Sequence, residues 1–186
     1  MGDIVADAKA NSDKLSYGSW SVGNPVHLGS ALCEAVTGTQ MQHVIYRETT
    51  MPCSGVAKSE LSFAMSTNAT DGAMCWASKV RHVGVVAPKR VAGFANVPAV
   101  GKSGGPTNFK VSGWTAIATL KGVPKATADQ IQRDIGKTLA EPDVREKLAS
   151  FAYELFTLTR KQVSQYIQTE STRYGEIIKK AKVSLN

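Results

Sequence analysis

Residues 17–28 read YGSWSVGNPVHL, and this stretch decides the fold. Leu15 to Gly18 suits a short strand, and the chain then passes through a loop of small residues, Ser19, Ser21 and Gly23, into a strong helix start. Asn24 is a good N-cap and Pro25 fits the first helical position. Leu28, Ala31, Leu32, Ala35 and Val36 recur at helical spacing until Gly38 stops the helix. A strand, a loop of small residues and a helix N-terminus together form an anion site, because unpaired backbone N–H groups and the positive end of the helix dipole meet there. The same residues also suit an ordinary Ser/Gly-rich connection, and physics alone leaves both readings open.

The elements on either side alternate. Ile4, Val5 and Ala8 after Asp3 predict a first helix, His43 to Tyr46 a second strand, and Pro52 a short helix after a turn through Thr49 and Thr50. A strand over Leu61 to Met65, a helical stretch reaching Ala77 and a buried strand over Val80 to Val86 follow. Strands alternating with helices predict an α/β, doubly wound layer. The stretch from Ala87 to Asn108 is rich in Gly and Pro and reads as a crossover between two lobes. Beyond it come a strand over Phe109 to Ala118 and a helix marked by Ala128, Ile131, Ile135 and Leu139. Pro142 opens another helix, and a strand lies near Tyr153 to Leu158. Thr159 and Gln162 form a capping-box pair for a last helix, with an apolar stripe through Val163, Tyr166, Ile167, Tyr174, Ile177, Ile178 and Ala181.

Composition narrows the function classes. At 186 residues and 42% hydrophobic content the chain can bury one large or two small cores. No apolar run approaches the roughly 20 residues of a membrane span, and residues 1–11 lack the basic start and apolar stretch of a signal peptide. The net charge of +7 is spread along the chain without a nucleic-acid-binding pattern, so no nucleic-acid partner is expected. Its densest cluster, Lys179, Lys180 and Lys182, complements the end of the last helix. A basic balance also steers an anionic ligand inward. Cys33, Cys53 and Cys75, with His27, His43 and His82, show no metal-ligand spacing, so neither a metal nor another cofactor is expected. Cys33 sits on the apolar helix face, as a buried structural thiol does.

Enzyme signatures fail at identifiable positions. GKSGG at residues 101–105 resembles the end of a phosphate-binding loop, but the required first glycine is Asn96 and Pro98 interrupts the span. Neither a G-x-S-x-G elbow nor an H-E-x-x-H helix occurs. His27, one step inside the helix, either touches an anion or packs. Asn68-Ala69-Thr70 matches the glycosylation triplet, a pattern frequent by chance.

Several segments carry a family resemblance in the same order. DIVADAKANSDKLSYGS leads into the loop, HVIYR resembles H-V-P-Y-[KR], and VRHVGVVAPKR with NVPAVGKSG is similar to the approach to V-P-T-x-x-E-x-G. VSGWTAIATLKGVP resembles the strand ending in A-P-x-G-T-P, and IGKTLAEPDVREKLASFAYE is similar to L-x-D-P-x-V-R-x-[KR]-L. Together they resemble the Bug family, the extracytoplasmic solute receptors of tripartite tricarboxylate transporters. The resemblance implies a periplasmic-binding-protein-like, type II Venus flytrap fold that closes on a small organic carboxylate and is read by membrane transporter subunits. It implies a periplasmic location for the family, whereas the chain as given, without a signal peptide, would stay in the cytoplasm. On the matching positions it implies that Ser19, Ser21, Gly23 and Asn24 bind one carboxylate, with Tyr46 and Thr49 on the neighbouring loop. His27 and Ser66 complete the candidate set.

The departures from the family pattern carry expectations of their own. The family's first half-lobe, with its P-F-x-x-G-G-x-x-D loop, has no counterpart here. Residues 1–88 are therefore expected to form a complete ligand-binding lobe (lobe two), 89–108 the crossover and 109–186 the C-terminal part of lobe one. Ser62 and Ser66 stand where aspartates are common, and Glu48 and Thr49 near where glycines are. An unfinished sheet exposes an edge and an apolar face, which predicts a homodimer or an exchange of elements. The alternative to a receptor is a truncated relative that has lost ligand capture and persists as a structural or oligomeric remnant.

Overall fold

A computed structural model describes residues 1–67, 79–87, 94–107, 109–150, 153–156 and 158–184. The first helix, α1 (Gly2–Ala10), carries Asp3 in its first turn and Lys9 in its last, both matched to the helix dipole. Strand β1 (Ser16–Ser19) leads through the 20–24 loop to α2 (Pro25–Thr37). Asn24 caps α2 by accepting from the Val26 and His27 amides, and Gly38 ends it in the left-handed region at φ 66°. Then follow β2 (Gln42–Ile45), α3 (Met51–Ala57) and β3 (Phe63–Ala64).

The three strands form one parallel sheet in the order β2-β1-β3. Tyr17 lies opposite His43 on one side and Phe63 on the other. Because side chains alternate across a strand, Tyr17 and Gly18 face opposite layers. The Tyr17 face packs with Ala8, Leu15, Met41 and Phe63, and with Ile4 of α1. The opposite face is pressed so closely by Leu61, Pro52 and Tyr46 that a Cβ on Gly18 would sit 2.6 Å from the Leu61 Cδ1. Helices therefore cover both faces, the doubly wound arrangement expected.

Beyond β3 the described residues up to Thr107 are only partly regular. Val85 makes a single parallel bridge to Ala99 where a strand over Val80 to Val86 was expected, and the expected strand from Leu61 shrinks to two residues. GKSGG is a packing element: Val100–Lys102 forms a 3-10 turn, and the Gly2 amide donates to the Ser103 carbonyl at 2.8 Å. Cys75, the helical stretch ending at Ala77, the Asn68-Ala69-Thr70 triplet and part of the crossover lie outside the described residues. Cys33 and Cys53 are both buried. Burial, then the charge of Glu34, pushes the Cys33 thiol up to about 11, as an inert structural thiol requires.

Three helices complete the chain: α4 (Lys125–Thr138), α5 (Pro142–Ser150) and α6 (Arg160–Ala181). Thr159 and Gln162 form the expected capping box of α6. Ile177 of α6 seats against Leu28 and Leu32 of α2, with Phe109, Val111, Tyr174 and Val183 around them. This is the apolar stripe put to use. The expected strands at Phe109 to Ala118 and Tyr153 to Leu158 are absent among the described residues, where the backbone forms no ladder. A strand exists only when a neighbour satisfies its N–H and C=O groups, and no described strand pairs with these segments, whose described contacts include side chains of the last helix. Helices α4 and α5 bury none of their residues, and Ile117 and Leu120 stand 72% and 85% exposed.

Candidate functional site

All three strands are parallel, so their C-terminal ends share one edge. At that edge lie the 20–24 loop, the turn after Tyr46 and the segment after Ala64. The chain leaves β1 toward β2 and then crosses back to β3, which makes the gap between β1 and β3 a topological switch point. Open α/β sheets bind ligands at such gaps. Gly29 of α2, which has no side chain, lets the Met65 sulfur lie against the helix, and the half-buried Ser66 follows it in the chain.

The loop spends some of its donors on itself. Asn24 donates from Nδ2 to the Ser21 carbonyl while its Oδ1 accepts from the Val26 and His27 amides at 2.8 and 3.0 Å. The Gly23 amide donates to Nδ1 of His27 at 3.0 Å, and Gly23 adopts φ 80°, which a side chain would strain. Among the described residues the amides of Ser21, Val22 and Asn24 have no protein acceptor. Ser21 is exposed and its hydroxyl lies at the surface beside them. Three unspent amides and a hydroxyl next to a helix N-terminus can hold a carboxylate.

Beneath the loop is a packed aromatic group that the sequence did not announce. His43, Tyr17 and Phe63 form a ladder across β2, β1 and β3, with ring centroids 5.1 and 5.8 Å apart. His27 stacks on His43 at 4.1 Å with the planes 14° apart. Nε2 of His43 lies 2.7 Å from the Ser19 hydroxyl, which also donates to the Ser21 carbonyl at 2.9 Å. Burial lowers the His27 pKa, and burial followed by the neighbouring His27 brings His43 down to about 4. Both rings are thus neutral at pH 7. Tyr17 donates to Glu34, which also accepts from the Met41 amide at 2.6 Å. Burial, then the Glu34 charge, pushes the Tyr17 phenol up, and burial above all raises the Glu34 carboxyl. One alternation signal was available: Tyr17 and Ser19 share a strand face. The partner His43 depends on strand register, which no local pattern encodes.

The expected site residues divide by depth. Ser19 is fully buried and His27 nearly so, both under the loop, whereas Ser21 is exposed and Gly23 and Asn24 are half-buried. Tyr46 donates its amide to the Ser19 carbonyl at 2.8 Å, but its ring turns to the α3 face against Gly18 and Gly55. Burial, then Glu60, raises its phenol. Thr49 and Glu48 are exposed in the turn that follows. Ser62 lies at the far edge of the sheet, where its hydroxyl accepts from the Ser16 amide at 3.1 Å. Two clefts of about 640 and 610 Å³ lie along α6 and between α1, α2 and α6, and neither is lined by the loop. No cluster of His, Cys, Asp and Glu among the described residues is placed to hold a metal. No described helix is long and apolar enough to cross a membrane.

Comparison with known proteins agrees with this architecture. The family model described as the tripartite tricarboxylate transporter family receptor matches residues 1–183. A UPF0065 protein encoded between tcbD and tcbE in a Pseudomonas species is 25% identical over 183 residues, which are 98% of this chain and 54% of that protein. A UPF0065 protein from the gbd 5′ region of Cupriavidus necator is 26% identical over 97% of this chain and 54% of its own length. The chain thus spans about half the length of these relatives. Among solved structures, an R. palustris protein with adipate superposes with a TM-score of 0.90 at 18% identity, over 98% of this chain and 60% of that one. MatC from Rhodopseudomonas palustris with bound malate gives 0.82 at 16%, over 96% and 61%. The periplasmic binding protein BugD gives 0.87 at 21%, over 98% and 61%. These likenesses establish a periplasmic-binding-protein fold, one lobe with part of another, and the matching family consists of transport receptors rather than enzymes. The chain belongs to the tripartite tricarboxylate transporter receptor family.

Proposed function

We propose that this chain forms a carboxylate-binding wall of a solute receptor that serves a tripartite tricarboxylate-type membrane transporter in the periplasm. The observation that carries the reading is the 20–24 loop, whose unspent amides of Ser21, Val22 and Asn24 gather at the N-terminus of α2 beside the β1–β3 switch point. An oxyanion seated there accepts from these amides and from the Ser21 hydroxyl, while Ser66 and Thr49 border the site from the adjoining segments. Adipate and malate, carried by two structural neighbours, supply the ligand class: a short dicarboxylate. Residues 1–88 act as the lobe that holds this wall, 89–108 as the crossover and 109–186 as part of the facing lobe. Transporter subunits then distinguish the ligand-closed receptor from the open one, since the ligand stabilises only the closed arrangement.

The test is isothermal titration calorimetry of the chain with adipate and malate, beside Asn24→Ala. Saturable heat that weakens at least tenfold in the variant supports the reading, and absence of heat with both acids at millimolar concentration contradicts it. A second reading, a relative that retains the fold without capture, draws on the exposed residues 109–120 and on helices α4 and α5, which bury nothing and assemble no facing wall among the described residues. Absence of heat from a folded chain is its expected result.

A further inference from the structure

Two imidazoles from different elements meet under the loop, the buried His27 on α2 and the half-buried His43 on β2. They stack at 4.1 Å, and each bonds to a different end of the 19–24 loop. Nδ1 of His27 accepts from the Gly23 amide, so it must be unprotonated. Ser19 has a single hydroxyl hydrogen, and its bond to the Ser21 carbonyl uses it. The 2.7 Å contact with His43 then requires that Nε2 of His43 carry the hydrogen and donate. Both tautomers are fixed by these partners. The Gly23 amide is thereby held against His27, with Gly23 at a positive φ of 80°.

We propose that the stacked His27–His43 pair positions the anion-binding loop, His27 by holding the Gly23 amide inward and His43 by anchoring the Ser19 hydroxyl. This rests on the carboxylate reading for its functional consequence but not for its geometry. Neither ring is a ligand contact, and each acts through the backbone it fixes. The groups that contact the pair are Tyr17, stacked on both rings, and the Ser19 hydroxyl, both from β1, with Phe63 of β3 packed on the Tyr17 ring. Glu34 and Cys33 stand further along α2, and the Glu34 carboxylate is committed to Tyr17 and the Met41 amide. No carboxylate among them compensates a second positive charge. A proton on His27 would replace the acceptor by a donor facing the Gly23 N–H, and a proton on both rings would place two cations face to face. The loop should therefore loosen on acidification while α2 stays folded.

The experiment reads the Gly23 amide directly by hydrogen exchange followed with ¹H–¹⁵N NMR, together with calorimetric affinity for adipate. Asparagine can place its amide oxygen near the Nδ1 position and glutamine its amide nitrogen near the Nε2 position. His27→Asn and His43→Gln should accordingly keep the loop, while His27→Leu and His43→Leu keep only bulk. We expect His27→Leu to lose Gly23 protection at least tenfold with Leu28 unchanged, and His27→Asn to restore most of it. Where adipate binds, the affinity should fall in step for both leucine variants and return in the asparagine and glutamine variants. In wild type, Gly23 protection corrected for intrinsic exchange should fall at least tenfold between pH 7 and pH 4, a readout available even if a leucine variant does not fold. Protection of Gly23 that is unchanged in His27→Leu, or constant with pH in wild type, overturns the proposal. Absent adipate heat with His27-dependent Gly23 protection would count against the carboxylate reading alone and leave the positioning of the loop established.

Discussion

Gly23 shows how much of the site rests on single residues. Its φ of 80° is in the region that L side chains avoid, and its amide is committed to His27. Gly23→Ala should cost about 1 kcal/mol of strain and weaken dicarboxylate binding, as calorimetry of the folded variant would show. Glu48, exposed near the same edge, repels an anion, so Glu48→Gln should strengthen binding about twofold to fivefold at low salt, with the gain fading as salt is added. The histidines make stability depend on pH. An unfolded imidazole titrates near 6.5, whereas His43 in the fold titrates at about 4, so between these values the unfolded chain holds the extra proton. The stabilisation is complete above about pH 6.5 and is lost as pH falls toward 4. Melting temperatures across that window should drop in wild type and drop less in His43→Gln. The residue-scale signals in the sequence were those with local causes: Asn24, Pro25 and Gly38 announce α2 because capping and φ preferences act over a few residues. The tautomer of His43 was illegible, since it depends on Ser19, 24 residues away and brought to it by strand register, and that of His27 depends on the turn taken by the loop at Gly23.

At the scale of elements, α2 joins the loop, the sheet and the last helix. It presents its N-terminus to the loop, Glu34 to the sheet, and Leu28 and Leu32 to Ile177 of α6. Truncating Ile177 to Ala should remove about 2 to 5 kcal/mol, measured by urea unfolding, because Ile177 is 7% exposed and packed by four aromatic or aliphatic neighbours outside α2. An equally long apolar side chain on α4, Ile131, is 37% exposed, and Ile131→Ala should change stability by less than about 1 kcal/mol. Helices were read well from the sequence because their hydrogen bonds close within the segment. The strands β1 and β2 were read within a residue or two because turn residues bound them. The stretch from Phe109 to Ala118 has the composition of a strand without the neighbour that makes one, and composition cannot supply the neighbour.

For the whole molecule, the N-terminal sheet carries helices on both faces, while the described residues after Asn108 leave apolar side chains such as Ile117, Leu120 and Phe156 in solvent. Exposed apolar surface of this kind favours association, so light scattering coupled to size exclusion should show a dimer or larger species at tens of micromolar protein. A monodisperse monomer would show that this surface is tolerated. The order of segments along the chain, rather than any single motif, made the family legible in the sequence, and the match over residues 1–183 has the same extent. If the loop after β1 captures a dicarboxylate as proposed, the bound acid must stabilise the fold. The most direct measurement is the thermal unfolding of the chain with and without adipate or malate at a hundredfold excess over the dissociation constant found by calorimetry. A stabilisation of about 2.7 kcal/mol that is lost in Gly23→Ala is the expected result, and an unfolding curve unmoved by either acid at 10 mM, on the order of a hundredfold excess over a weak site, would contradict it.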